Sequence, residues 1–250
     1  MGTDTEVLAR AGSVEGWLTE REGLLLYRMA KRCTGKGVIV EIGSWKGRST
    51  IFLALGSLAG ARVPVYAIDP HNCAYDSTGS LLKSASTTTL DAFRVNVQKA
   101  GVEDIIRSIV RTSSDAVMRW DRPIELLWID GDHGYEAVRL DIEQWGAHLI
   151  DRGMIAFHDS TPDGYLGVRK AVTDCILSSR FFTNVGVIDT VTHATKSQVR
   201  RRSMDSVRVQ CLLATYRLFD IGRAIFPRRM REPLRTSAHG ICAFLRRWIT

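Results

Sequence analysis

Five strand-like runs alternate with helix-like segments along this chain, and that alternation limits the fold more than any other feature. The runs are 38–42, 64–69 (P-V-Y-A-I-D), 105–110 (I-I-R-S-I-V), 124–130 (I-E-L-L-W-I-D) and 153–158 (G-M-I-A-F-H). Between them the pattern predicts helices near 48–59, 86–100, 113–120 and 135–150. Runs this apolar suit strands covered on both faces. Alternating with helices, they predict an α/β fold with a doubly wound, mostly parallel sheet. Ahead of them, Thr19-Glu20-Arg21-Glu22 has capping-box spacing, and the apolar-rich G-L-L-L-Y-R-M-A follows. This predicts a first helix ending near Gly35, so residues 1–35 form a helical cap on a domain spanning 1–199. Ligands of such sheets gather at the carboxyl ends of the strands, near the switch point, so the residues to weigh are those that end each strand.

The first strand ends in Glu41-Ile42-Gly43-Ser44-Trp45-Lys46-Gly47. Gly43 allows a tight turn, and Gly47 allows a close approach to the backbone. This is neither a dinucleotide fingerprint nor a P-loop. A carboxylate beside a phosphate loop would repel its ligand, whereas a ligand carrying an amino group would be drawn to it. Glu41 alone also suits local pairing in an ordinary strand–turn–helix. Asp69 ends the second strand, placed to take two ribose hydroxyls or to start a turn before Pro70. After the third strand, Ser113 and Ser114 suit a helix cap or an adenine edge.

The fourth strand leads into W-I-D-G-D-H-G-Y-E-A-V-R-L-D-I, where Asp130, Asp132 and His133 crowd a turn at Gly131. The fifth leads into Phe157-His158-Asp159-Ser160. If these strands are neighbours, Asp130 and Asp159 face each other, and two carboxylates that close repel unless a cation or proton intervenes. Oxygen ligands of this kind suit a hard divalent ion, Mg2+ or Mn2+; N-capping and surface turns are the other use of the same residues.

These segments together resemble a class I S-adenosylmethionine-dependent methyltransferase. The branch is the one that includes macrocin O-methyltransferase, cephalosporin-hydroxylase-like proteins and bacterial sugar and polysaccharide O-methyltransferases. The resemblance runs from about Val38 to Thr161 and is carried by V-E-I-G-S-W-K-G-R-S-T, A-I-D-P-H, W-I-D-G-D-H-G-Y-E-A-V-x-x-D-I and G-M-I-A-F-H-D. It implies a Rossmann-like sheet with S-adenosyl-L-methionine as cofactor. By the same resemblance, Glu41 and the Gly43–Gly47 backbone, with Ser44 and Ser49, hold the methionine end, Glu41 lying near its ammonium. Asp69 takes the ribose, Ser113 and Ser114 lie near the adenine, and Asp130 borders the cofactor. Two departures stand out: Trp45 replaces a middle glycine of the class motif, and His158 replaces an acid of several metal-dependent relatives.

The expected reaction is methyl transfer to a hydroxyl of a saccharide or glycosylated small molecule. His133 is the general base assisted by Asp130, and a divalent ion is held by Asp130, His158 and Asp159. The alternatives are RNA ribose or other small-molecule methylation. A nicotinamide oxidoreductase would want a third glycine in the loop, and a non-catalytic membrane-surface module would not need the strand-end acids and histidines. No N/D-P-P-Y/F/W sequence is present, which disfavours amino methylation of bases.

Charge is divided unevenly along the chain. Residues 200–250 hold twelve arginines against Asp205, Asp220 and Glu232, a balance of +9, so the other 199 residues sum to −2 of the total +7. The basic, amphipathic tail suits an anionic membrane surface, a calmodulin-like groove, or packing on its own domain or a sister subunit in a homo-oligomer. Nucleic acid is the weaker partner. Five scattered cysteines without a C-x-x-C pair, and a polar start unlike a secretory signal, lead to an expected cytoplasmic location, at the inner face of the membrane if the tail binds there.

Overall fold

The computed structural model describes residues 3–225, apart from 73, 76–80 and 83–88. Helices α1 (Asp4–Ala11) and α2 (Glu20–Lys31) come first, then β1 (Val38–Ile42), α3 (Arg48–Ala59) and β2 (Val65–Ile68). A two-residue pair, β3 (Ala74–Tyr75) and β4 (Leu81–Leu82), precedes α4 (Thr89–Lys99) and β5 (Ile106–Ile109). There follow α5 (Ser113–Val117), β6 (Ile124–Ile129), α6 (Tyr135–Gly146) and β7 (Leu149–Phe157). The described part ends with α7 (Leu166–Val172), β8 (Phe182–Ile188), β9 (Val191–Lys196) and α8 (Ser203–Ile225).

The main sheet has the order β5-β2-β1-β6-β7-β9-β8. β5, β2, β1, β6 and β7 are mutually parallel, and β9 runs antiparallel to both of its neighbours. The five parallel strands are those the sequence predicts, and the strand order reverses between β1 and β6. Period-two alternation sorts the strand residues into two cores. Ile39, Leu126, Trp128 and Ala156 pack under α1–α4, whereas Val40, Leu127, Ile129 and Phe157 pack under α5–α8. The central strand β6 is buried at all six positions, as a strand covered on both faces must be.

Both N-terminal helices open with capping boxes, Thr3 with Glu6 and Thr19 with Glu22. The expected single cap helix is therefore a pair, and α2 stops at Lys31, short of Gly35. α6 is shorter and β7 longer than expected. Leu149 already pairs with Ile124, the chain bulges through Arg152 (φ 61°), and it rejoins the ladder at Met154 opposite Leu126. α5 ends at Val117, before the expected 120, because Trp120 turns its ring onto Tyr66 and Trp145 at 5.0 and 5.2 Å.

The tail is helical over Ser203–Ile225 and lies on the domain: Val209 and Tyr216 are buried in the second core. Arg169 donates to both carboxylate oxygens of Asp220 at 2.8 and 3.0 Å, fixing the helix to α7. Among the described residues no helix is long and apolar enough to cross a membrane. The rest of the expected tail, 226–250, and most of the polar segment 71–88 lie outside the described residues.

Candidate active site

Four parallel strands deliver their last residues to one edge of the sheet: Glu41 and Gly43 from β1, Asp69 from β2, Asp130 from β6, and His158 and Asp159 from β7. Hydrogen bonds lace these ends together. The Gly43 N–H donates to Ile68 O at 2.9 Å, Asp130 N–H to Ile42 O at 2.8 Å, and His158 N–H to Ile129 O at 3.1 Å. Gly43 has φ 85°, and a Cβ there would fall inside the Asp130 carbonyl oxygen, so the loop needs glycine on two counts. Gly47, also left-handed at φ 90°, caps α3.

Glu41 is fully buried, and its two carboxylate oxygens accept hydrogen bonds from the Ser49 and Thr50 hydroxyls. Burial pushes its carboxyl up to about 8, with Asp130 and Asp69 adding to the rise. Asp69 accepts from the backbone N–H of Trp45 and of His71, each at 2.7 Å. Each of its oxygens keeps a second lone pair for a ligand. Trp45 keeps a left-handed backbone, φ 41°, that a glycine would adopt freely, and its ring lies 4.5 Å from Trp17 with the Lys46 ammonium 4.4 Å from its centroid. Ser44 is buried in the same loop with no hydrogen-bond partner for its hydroxyl. A buried orphan of this kind is costly unless a ligand completes it.

The second half of the site centres on His158. Its Nδ1 lies 3.1 Å from Asp130 Oδ1 and 3.3 Å from Asp159 Oδ2, and its Nε2 lies 3.7 Å from Glu22 Oε2. Burial alone would lower its pKa, but Asp130 above all, then Asp159 and Glu22, raise it to about 12. Asp130 is pushed up by burial, against the pull of His158. His133 stacks on Tyr165, centroids 4.0 Å apart and rings 8° from parallel, with Nε2 3.7 Å from Asp159 Oδ2.

The donor atoms of Asp130, His133 and Asp159 lie within 4.8 Å of one another. The trio gathered here thus contains His133 where His158 was expected as third ligand. His158 instead lies between the carboxylates of Glu22, Asp130 and Asp159. Ser113 and Ser114 do not cap α5: Thr112 does, accepting from Asp115 N–H at 3.1 Å. Ser113 hydrogen-bonds the buried Asp141, whose pKa burial raises to about 6. Asp132 accepts from Gly134 N–H at 2.6 Å and holds the turn.

Glu22 is the residue that sequence reasoning placed only in a capping box. It accepts from Thr19 N–H at 2.8 Å, and from the Thr190 N–H and hydroxyl at 2.8 and 2.7 Å, while facing His158. Burial pushes its carboxyl up, but His158 and these N–H and O–H donors outweigh it and bring it to about 2. The folded value lies below the ordinary 4.5, so its stabilisation is complete above about pH 4.5 and is lost as pH falls toward 2. Glu22→Gln should therefore destabilise the fold by about 1–3 kcal/mol at neutral pH, with a smaller penalty near pH 3. Urea unfolding of both proteins at the two pH values measures this, and a penalty independent of pH would contradict it.

Residues 40–160 match the family model described as a methyltransferase domain. Several solved structures share the fold. A cofactor-bound protein, Rv0187 from MTB, is 20% identical, with a TM-score of 0.55 over 78% of this chain and 89% of that one. An O-methyltransferase from Bacillus cereus in complex with S-adenosylhomocysteine is 15% identical, with a TM-score of 0.54 over 77% and 90%. TomG, the O-methyltransferase of tomaymycin synthesis in Streptomyces achromogenes, solved with S-adenosylmethionine, is 16% identical, with a TM-score of 0.55 over 77% and 90%.

Proposed function

We propose that this chain, with its methyltransferase domain, is an S-adenosylmethionine-dependent O-methyltransferase acting on a saccharide or glycosylated acceptor. The observation that carries the reading is the buried, unpartnered Ser44 hydroxyl in a glycine loop bordered by Asp69 and Asp130, with Glu41 buried beneath it. A ligand bringing an ammonium, a carboxylate and a sulfonium suits this lining: acids attract its cationic centres, and the Ser44 hydroxyl answers its carboxylate. An ammonium arriving beside Glu41 would draw its buried carboxyl back to the charged form, and Asp69 takes the ribose. Ser49 acts behind them by holding Glu41. The fold shared with proteins solved with this cofactor or its product supports the assignment.

Asp130 and Asp159 would hold a divalent ion through their carboxylates, which leaves the lone pair of the neighbouring His133 imidazole for the acceptor's proton. Carboxylate oxygens of this kind suit Mg2+ or Mn2+. When bound, the cofactor supplies the methyl group and the ion supplies Lewis acidity at the acceptor oxygen. The chain's own residues orient the hydroxyl and take its proton, for which His133 is the base. The oxygen that His133 relieves of its proton would be the one to receive the cofactor's methyl group.

Turnover with and without chelator tests the ion. Chelation should abolish methylation, and added magnesium or manganese should restore it. Full turnover in chelator, with Asp159→Ala unimpaired, would leave His133 acting as base without metal. The saccharide is the acceptor expected from the resemblance, and isotope-labelled methyl appearing in glycans of the native host would bear it out.

A further inference from the structure

We propose that α8 docks the protein on an anionic lipid surface through its outward face. One side of this helix is committed to the domain, where Val209 and Tyr216 are buried. On the other side Met204, Val207, Cys211, Ala214, Leu218 and Ile221 recur at alternating spacings of three and four residues, and all six are exposed. That spacing forms one continuous apolar stripe about five turns long. Four large apolar side chains more than half exposed on one helix (Met204 72%, Val207 58%, Leu218 69%, Ile221 54%) are more than water-facing helices carry without a partner.

Charge decides the occupant. Both acids of α8 lie away from the stripe and are engaged: Asp220 by Arg169, and Asp205 by Arg208 at 3.8 Å. Arg217 flanks the stripe and is exposed. At its N-terminal end, Arg201 N–H donates to Arg180 O at 2.7 Å, bringing exposed Arg180, Arg200 and Arg202 beside the exposed apolar residues Phe181 and Val199. Past Ile225 the sequence adds six arginines against Glu232 alone, interleaved with Phe244, Leu245, Trp248 and Ile249. An apolar stripe edged by arginines, with no acid directed outward, complements acyl chains beneath anionic headgroups. A second copy of α8 would bring arginine flanks against arginine flanks, with no acid to answer them.

Co-sedimentation of the full chain with vesicles tests this. Binding is expected to phosphatidylcholine vesicles that include phosphatidylglycerol, to be weak on phosphatidylcholine alone, and to fall with added salt. Leu218→Asp with Ile221→Asp should lower partitioning by about tenfold or more, and Arg202→Ala with Arg217→Ala by several-fold, both with the parent's thermal midpoint. No binding to anionic vesicles, or binding that both double variants leave unchanged, would overturn the proposal. So would light scattering showing a parent dimer that the Asp variant splits, which would give the stripe to a second copy.

Discussion

His133→Ala should lower turnover by about 10²–10⁴-fold while leaving S-adenosylhomocysteine affinity within about threefold. The imidazole lies at the mouth of the site, stacked on Tyr165 and 3.7 Å from Asp159, and is 38% exposed. That exposure lets an acceptor reach it, and the Tyr165 stack and Asp159 hold its ring in one orientation. None of its described contacts is to the glycine loop where the cofactor is proposed to bind, so binding and turnover should separate. Steady-state kinetics beside calorimetry reads both. An unchanged kcat would remove His133 from the reaction, and an equal loss of affinity and kcat would make its role structural.

The second large effect is expected at Gly43. Its φ of 85° disfavours any side chain, and a methyl group would overlap the Asp130 carbonyl, a backbone atom that cannot swing aside. Gly43→Ala must therefore move the β1 loop away from β6. A cost of about 3 kcal/mol or more is expected, with a fall in Tm of roughly 6–12 °C. Turnover should fall further than stability, because Asp69 and Asp130 both take their positions from this loop. Gly47→Ala is the milder companion, since a Cβ there first meets the Phe93 ring at 3.1 Å and the strain is mostly that of its φ, about 1–2 kcal/mol. Thermal unfolding of the two variants side by side checks the order, and a Gly43→Ala protein as stable as its parent would contradict it.

The parallel half of the sheet was legible because each of its strands is buried on both faces and reads as an unbroken apolar run. Their order made the strand-end acids legible as well, and Asp130 and Asp159 do come from adjacent strands. The β8–β9 pair was not legible. Its burial is mixed, Gly186 interrupts β8, and the His193 ring fills the space a side chain would take there. The full setting of His158 was hidden for a related reason. Sequence shows the imidazole beside Asp159, but its third acid, Glu22, comes from a helix 136 residues earlier, and the Thr190 that fixes Glu22 lies in the turn of the unforeseen hairpin. Ser113 and Ser114 lost the cap to Thr112 because a cap is set by backbone geometry at one position, and Thr112 has the extended backbone that the role needs, at φ −65° and ψ 156°. The outward stripe of α8 was hidden in a different way. Both faces of that helix are apolar, and only packing shows which one the domain takes.

Calorimetric titration with S-adenosylhomocysteine tests the cofactor site most directly. Binding at one site per chain is expected, weakened by about 1.5–3 kcal/mol in Asp69→Ala as charge-assisted hydrogen bonds to the ribose are lost. Glu41→Ala should weaken it too. No binding by the parent chain, or the same affinity in the parent, Asp69→Ala and Glu41→Ala, would contradict the assignment of this cleft to the cofactor.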